Sequence, residues 1–378
     1  MKITEVRAAG LRGATPKGGW TRELQADDVV HSLIAVHTDT GLVGLGSVFS
    51  SESLVKAALE VLRPICVGQD PREPDRVSQL MHENTFWLGR GGAVTHTVSG
   101  IDIALWDILG QATGLPVSTL LGGRYREKVR PYASVLIEDG PAMADNLGKL
   151  AAQGFTAFKV GWGSFGRVSG TVDEATVRAA REAVGPDALL AVDAGGSDAF
   201  WDKGFTWAAR TADMLAAYDI AWFEEALRPD DIQGFIDLRR VSRVPISGGE
   251  VLTRRADFTR FLSAGAFDIV QPDTTKGGGL SESRRVAWLA EAFGVRFIPH
   301  GWNTAIGLAA DLHLTSSLPG AGLVEYKSGS AYIDQITEGG FTLDDNGLLA
   351  VPTGPGLGLR LNLDALARYA PGHGLFDG

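Results

Sequence analysis

Cysteine is nearly absent from this chain: Cys66 is the only one in 378 residues. A single thiol excludes an intrachain disulfide and fits a reducing compartment. Its neighbours Leu62, Ile65 and Val67 read as plain core. Long apolar runs are missing too. No stretch approaches a membrane span, and the opening MKITEVRAAG has no apolar signal core. The expectation is a cytoplasmic protein with no membrane partner. Positive charge is scarce, with 35 Lys and Arg against 45 Asp and Glu and a formal charge of −10. That balance argues against nucleic-acid binding. It leaves small anionic substrates open, because a bound metal ion reverses the local field. What the chain does have is length, too much for one ordinary core and suited to a barrel-sized domain beside a smaller one.

Residues 2–8 and 30–38 alternate as strands, and Asp39-Thr40-Gly41 turns the chain into LVGLGSVF, so 30–49 reads as an antiparallel hairpin. A polar loop at 13–22, containing Gly18-Gly19-Trp20, separates the first two strands. Helical patterns follow at 53–62, 74–80 and 98–113, the last ended by Gly114 and Pro116. Together these predict an α+β module over 1–125. From Val129 the texture changes. Apolar runs at 129–136, 157–160, 189–193, 221–224, 244–247, 268–271, 296–299 and 323–326 alternate with helical intervals such as 174–184 and 283–293. This alternation points to a barrel of parallel strands, a TIM-type (β/α)7β domain over 126–347. The tail 348–378, with Pro352, Pro355 and several glycines, fits neither module. It is expected to return to the amino-terminal cap and complete it.

The barrel strands end on chemistry. LLAVDAGG, AWFEEAL and VPISGGEV carry Asp193, Glu224 and Glu250 at spacings of 31 and 26 residues, about one strand, one helix and two loops apart. In a parallel sheet with right-handed crossovers such acids emerge on one rim. Each alone reads as a cap for the next helix. Three in register repel one another unless a cation sits among them, and an all-oxygen set suits Mg²⁺. The polar strand ends then continue with Asp273, His300 and Glu325. Asp273 lies one βα unit before His300, and a carboxylate beside an imidazole fixes its tautomer and raises its basicity, as a general base requires. Lys159 either reaches out to solvent or faces the acidic rim and holds a substrate carboxylate. Lys276 and its three following glycines lack phosphate-loop spacing and read as a flexible turn. Trp20, Trp162 and Trp302 read as core or as pocket wall.

With these residues collected, the chain resembles the mandelate racemase group of the enolase superfamily. The resemblance runs through SGIDIALWDILGQATGLPV and LLGG in 99–123, the three strand-end acids, and the PD…K and PH segments. It implies one Mg²⁺ per subunit on Asp193, Glu224 and Glu250, with Glu225 beside the site. It implies a His300–Asp273 dyad, and Glu325 hydrogen-bonded to a substrate carboxylate. It also implies a homo-oligomer, with an octamer in view. One departure stands out: the group's Lys-x-Lys on the second barrel strand reads Lys159-Val160-Gly161 here. With the second lysine gone, His300 is the evident base. The expected reaction is Mg²⁺-dependent abstraction of the α-proton of an acid sugar, an aldonate or aldarate, to an enediolate. Loss of the β-hydroxyl then gives a 2-keto-3-deoxy acid, with His300 acting first as base and then as acid. Stabilisation of the enediolate by metal and Lys159 is the general logic of enolase-type sites. The cap loops 13–22 and 48–53 would enclose the distal hydroxyls, which places Trp20 and Arg22 with Trp162 and Trp302 among the substrate-binding candidates. An epimerase or cycloisomerase using the same enediolate would need a second proton donor. A binding protein without catalysis is at odds with the full set of polar strand ends.

Overall fold

The computed structural model describes residues 1–18, 22–138 and 140–376. Strands β1 (Ile3–Leu11), β2 (His31–Thr38) and β3 (Val43–Val48) form an antiparallel sheet in that order. Four helices follow: α1 (Glu52–Cys66), α2 (Pro74–Asn84), α3 (Gly92–Thr113) and the single turn α4 (Val117–Leu120). On α1 the buried residues Val55, Ala58, Leu59, Leu62 and Cys66 recur at helical spacing. They pack with Val6, Ile34 and Val36 of the sheet and with Ile101, Leu105 and Ile108 of α3 into a core of the cap's own. The helix α3 touches β3 almost backbone to backbone. A Cβ on Gly46 would lie 1.8 Å from the Gly100 carbonyl oxygen, and one on Gly100 would lie 2.4 Å from Val48 Cγ2. Only glycine permits that approach.

The other faces of α3 fasten the cap to the rest of the chain. Asp107 accepts backbone N–H groups from Leu45 of β3 (3.0 Å) and Leu357 of the tail (2.8 Å). Asp102 accepts from Ser281 N at 3.0 Å, and Trp106 Nε1 donates to Ser281 Oγ at 3.0 Å. The polar residues of the SGIDIALWD segment are therefore docking points, buried and paired.

Eight parallel strands make the barrel: β4 (Lys128–Leu136), β5 (Ala157–Gly161), β6 (Leu189–Asp193), β7 (Phe223–Glu224), β8 (Ile246–Gly248), β9 (Ile269–Val270), β10 (Arg296–Phe297) and β11 (Leu323–Lys327). Each pairs with the next from β4 to β10, and β11 pairs with β4, which brings the last strand beside the first. Between β10 and β11 the Gly301 N–H donates to Glu325 Oε2 at 2.9 Å. The ladders of β9 and β10 are shorter than the apolar runs that predict them. Pro272 and Pro299 follow those strands and have no N–H to donate. Pairing resumes beyond them as an isolated bridge between Asp273 and His300.

Helices α5 (Gly140–Ala152), α6 (Gly170–Val184), α7 (Phe205–Leu215), α8 (Ile232–Val241), α9 (Arg254–Ala264), α10 (Gly279–Ala292) and α11 (Ala305–Ser316) fill the intervals. They cover outward strand residues such as Phe158, Val192, Phe223 and Val270. Inward, a separate apolar layer of Tyr132, Ala157, Ala191, Trp222, Ile269, Ile298 and Leu323 plugs the barrel. After β11 come α12 (Ala331–Asp334), β12 (Leu349–Ala350) and α13 (Leu363–Tyr369). The tail pairs first with the barrel, β12 lying antiparallel to β4. It then reaches the cap, where Arg12 N donates to Tyr369 O at 2.8 Å and Arg7 to Gly374 O at 2.9 Å. No helix among the described residues is long and apolar enough to cross a membrane.

Candidate active site at the barrel mouth

Side chains two apart on a strand share a face. The residues two positions beyond the apolar plug therefore point inward as well: Ser134, Lys159, Asp193, Glu224, Gln271, His300 and Glu325. One step of the strand period changes the barrel interior from hydrocarbon to charge. Glu250 joins this layer differently. It follows β8 by two residues, and Gly249 at φ +117, a conformation other residues rarely adopt, turns the chain so that Glu250 enters the cavity.

Asp193, Glu224 and Glu250 each offer a carboxylate oxygen within 4.8 Å of the others, and all three are buried. Glu224 Oε2 is fixed by Trp222 Nε1 and Gln271 Nε2, each at 2.8 Å. Asp193 Oδ2 accepts from Trp162 Nε1 at 3.1 Å, and Oδ1 accepts from Gly195 N at 2.8 Å. Lys159 Nζ hydrogen-bonds Glu224 Oε1, and lies 3.1 Å from Glu325 Oε1 and 3.6 Å from Asp193 Oδ2. Burial opposes a charged amine, but Glu224 and Glu325 hold Lys159 protonated well above its usual range. One lysine does not neutralise the cluster. Burial, with Glu224 close by, pushes Asp193 up to about 8. Three convergent oxygen donors fit a hard divalent cation such as Mg²⁺. Glu225 is turned away from them and accepts Gly249 N at 2.9 Å.

On the other side of Glu250 stands the pair His300 and Asp273. His300 Nδ1 lies 2.7 Å from Asp273 Oδ2, while Nε2 faces the cavity 3.3 Å from Glu250 Oε2. Asp273 Oδ1 is held by Thr275 N and Thr275 Oγ1 at 2.7 and 2.6 Å. Burial and Lys276 disfavour charge on the imidazole. Glu250, Glu325 and the Asp273 bond outweigh them and raise His300 to about 9. Glu325 is pulled the other way. Against burial, Lys159 and His300 lower it to about 2.

Lys159, Asp193, Glu250, His300 and Glu325 line a cavity that also includes Gly18, Phe49, Leu136, Trp162, Lys276, Trp302 and Lys327. Trp302 lies against Phe49, ring centroids 5.8 Å apart. Trp162 stands between this cavity and an outer one lined by Lys17, Arg22, Arg167 and Asp198. Arg22 belongs to that outer cavity and pairs with Asp28 at 2.9 Å. Trp20 lies outside the described residues. Two further lysines enter the site, Lys276 from the end of the sixth barrel strand and Lys327 from the end of the eighth. Lys276, which from sequence reads as part of a flexible turn, is buried with Nζ 3.6 Å from Asp273 Oδ2 and 4.5 Å over the Phe49 ring. Lys327 follows Glu325 by two residues on β11. The strand period places it on the same inward face as Glu325.

The family model for the mandelate racemase / muconate lactonizing enzyme amino-terminal domain matches residues 23–122, and the one described as enolase C-terminal domain-like matches 142–365. D-galactarolactone cycloisomerase of Agrobacterium fabrum is 34% identical, covering 98% of this chain and 99% of its own. D-galactonate dehydratase of Verminephrobacter eiseniae is 34% identical over 87% of this chain and 88% of its own. A racemase from Streptomyces coelicolor A3(2), solved with bound magnesium, superposes with a TM-score of 0.86 at 29% identity, covering 97% of this chain and 99% of its own.

Proposed function

The chain belongs to the mandelate racemase / muconate lactonizing enzyme family of the enolase superfamily, and from that premise we propose that it is a Mg²⁺-dependent acid-sugar dehydratase. The observation that carries this reading is a single ionic layer with three convergent carboxylates on one side and an Asp273-supported His300 on the other. The relatives named D-galactonate dehydratase and D-galactarolactone cycloisomerase point to a sugar acid as substrate.

Asp193, Glu224 and Glu250 would hold one Mg²⁺ per subunit, which supplies positive charge where the substrate carboxylate becomes an enediolate. Lys159, protonated by its acidic neighbours, donates to the same carboxylate and strengthens that stabilisation. His300 Nε2, the nitrogen that faces the cavity, takes the α-proton in its neutral form, which a cation on Glu250 would favour by offsetting the carboxylate that raises it. Asp273 holds Nδ1 in its N–H form and supports the imidazolium that results. Glu325 accepts Gly301 N and Tyr132 OH, at 2.9 and 3.2 Å, which keeps its second oxygen turned toward Lys159. Collapse of the enediolate expels the oxygen on the β-carbon, and the enol that remains becomes the 2-keto-3-deoxy acid.

A second reading is favoured by the cycloisomerase relative. If the β-oxygen belongs to a ring, the same proton abstraction opens the ring in place of releasing water. Trp302, Phe49 and Trp162 would wall the sugar, with Arg22 toward its distal end. The protein is taken to be cytoplasmic and a homo-oligomer, and light scattering at micromolar protein should show more than a monomer. The decisive assay incubates the Mg²⁺-loaded protein with a panel of aldonates, aldarates and their lactones and measures 2-keto acid. Acyclic substrates yielding product support the dehydratase, lactones alone yielding it support the ring-opening reading, and no product from any would sink both.

A further inference from the structure

Expulsion of the β-oxygen needs a proton as well as the departing bond. The sequence reading assigns that proton to His300, because Gly161 stands where a second lysine would be. The structure closes that position to any side chain. A Cβ on Gly161 would lie 2.5 Å from Asp193 Cβ and 2.7 Å from the Asp193 carbonyl oxygen. A second donor has to come from another strand.

Lys327 is the last residue of β11. It shares the inward face with Glu325, and its ladder partner Ser134 is also the partner of Lys159. Its side chain is 9% exposed and lines the central cavity. Among the described residues it makes no hydrogen bond and no ion pair. The other cations of the cavity are all engaged: Lys159 by Glu224 and Glu325, Lys276 by Asp273, His300 by Asp273 and Glu250. The charged groups around Lys327 are Glu325, Glu138 and Lys159, whereas those around His300 are Lys276, Glu250, Glu325 and Asp273. The two residues share Glu325 as a neighbour and line the same cavity. A largely buried amine that opens into a cavity with no carboxylate bonded to it is a position of the kind that clusters where chemistry is done. Burial brings the Lys327 ammonium down to about 8, close to where a general acid works at neutral pH.

We propose that Lys327 is the general acid that protonates the departing β-oxygen, a role that rests on the β-elimination reading above. His300 Nε2 takes the α-proton and the freed electron pair forms the enediolate. As the carboxylate re-forms, a double bond arises between the α- and β-carbons and the β-carbon–oxygen bond breaks. The oxygen keeps the bonding pair and takes a proton from Lys327 Nζ, leaving as water or as the hydroxyl of an opened ring. In the enol the β-carbon then receives the proton held by His300, and the enol hydroxyl returns one to Lys327. Both residues end as they began.

The test separates the two protons. Mg²⁺-loaded wild type, Lys327→Met and Lys327→Arg are followed by proton NMR in D₂O with D-galactonate, D-xylonate and D-galactarolactone as probes. α-Proton exchange and product formation are read independently. Lys327→Met should exchange within about threefold of wild type while product formation falls by about 10²–10³-fold. The retained exchange also reports an intact fold. Lys327→Arg keeps the charge but not a proton that leaves at neutral pH, and should behave the same way. Product formation within threefold of wild type in Lys327→Met overturns the proposal. So does a parallel loss of exchange and product in both variants, because Lys327 would then act on binding. A wild type that neither exchanges nor converts any of the three probes is a different result, and removes the β-elimination reading itself.

Discussion

The barrel interior holds two layers that differ by one step of the strand period. Below, Tyr132, Ala157, Ala191, Trp222, Ile269, Ile298 and Leu323 make a dry plug. Above, the residues two positions on bring together three acids, one amine and an imidazole, all with almost no exposure. The same strands build both, so the difference lies in what each layer is for. The plug lowers free energy by removing hydrocarbon from water. The ionic layer does the opposite: it holds like charges together out of water, which favours neutralisation or an added cation. Hydrocarbon and charge are thus stacked along the barrel axis.

Several experiments can break or sharpen that contrast. The largest effect is expected from the metal. Chelation should reduce turnover by more than about 10³-fold, and Mg²⁺ should restore it. Mg²⁺ should also raise Tm by several degrees by binding only the folded state, about 2.7 kcal/mol at a hundredfold excess over Kd. Glu224→Gln should cripple turnover with little loss of melting temperature, because it relieves repulsion among the acids. Glu225→Gln should harm activity less. Next comes the floor. Trp222→Ala should cost about 3–5 kcal/mol in denaturant unfolding, a loss that Glu224→Gln must not show. It also strips Glu224 of its Nε1 donor, so residual activity should fall with it. The smallest effect is expected at Asp273→Asn, which keeps the fold and lowers kcat by about 10²-fold, since a neutral amide no longer supports the imidazolium. Equal damage to stability from floor and ionic-layer substitutions would remove the contrast.

Much of this was legible in the sequence. The alternation of apolar runs with helical intervals carried the barrel, and the acids at successive strand ends carried the rim, because a parallel sheet has only one place to put them. Asp273 and His300 were readable as neighbours for the same reason. The parts that were not legible depend on backbone geometry. Lys276 precedes three glycines that look like a turn from sequence, and only the folded loop lays its Nζ over Phe49. Lys327 was hidden by an apolar run that ends at Tyr326, although the ladder continues one residue further. Gly161 could be read as a missing lysine. That the position admits no side chain at all follows from the closeness of Asp193. The loops are less tied to pattern still. Arg22, proposed from its place in the first cap loop, stands in the outer cavity with Asp28.

Everything proposed for the charged layer depends on His300 Nε2 removing the α-proton of a sugar acid there. The most direct measurement is proton NMR of D-galactonate, D-xylonate and D-galactarolactone in D₂O with Mg²⁺-loaded wild type and His300→Asn. Wild type should remove or exchange the α-proton of at least one of them. His300→Asn should lose both exchange and product formation by at least about 10³-fold while melting as wild type does. Exchange at the wild-type rate in His300→Asn would contradict that role, and would mean that another base, with Lys159 the first to examine, takes the proton.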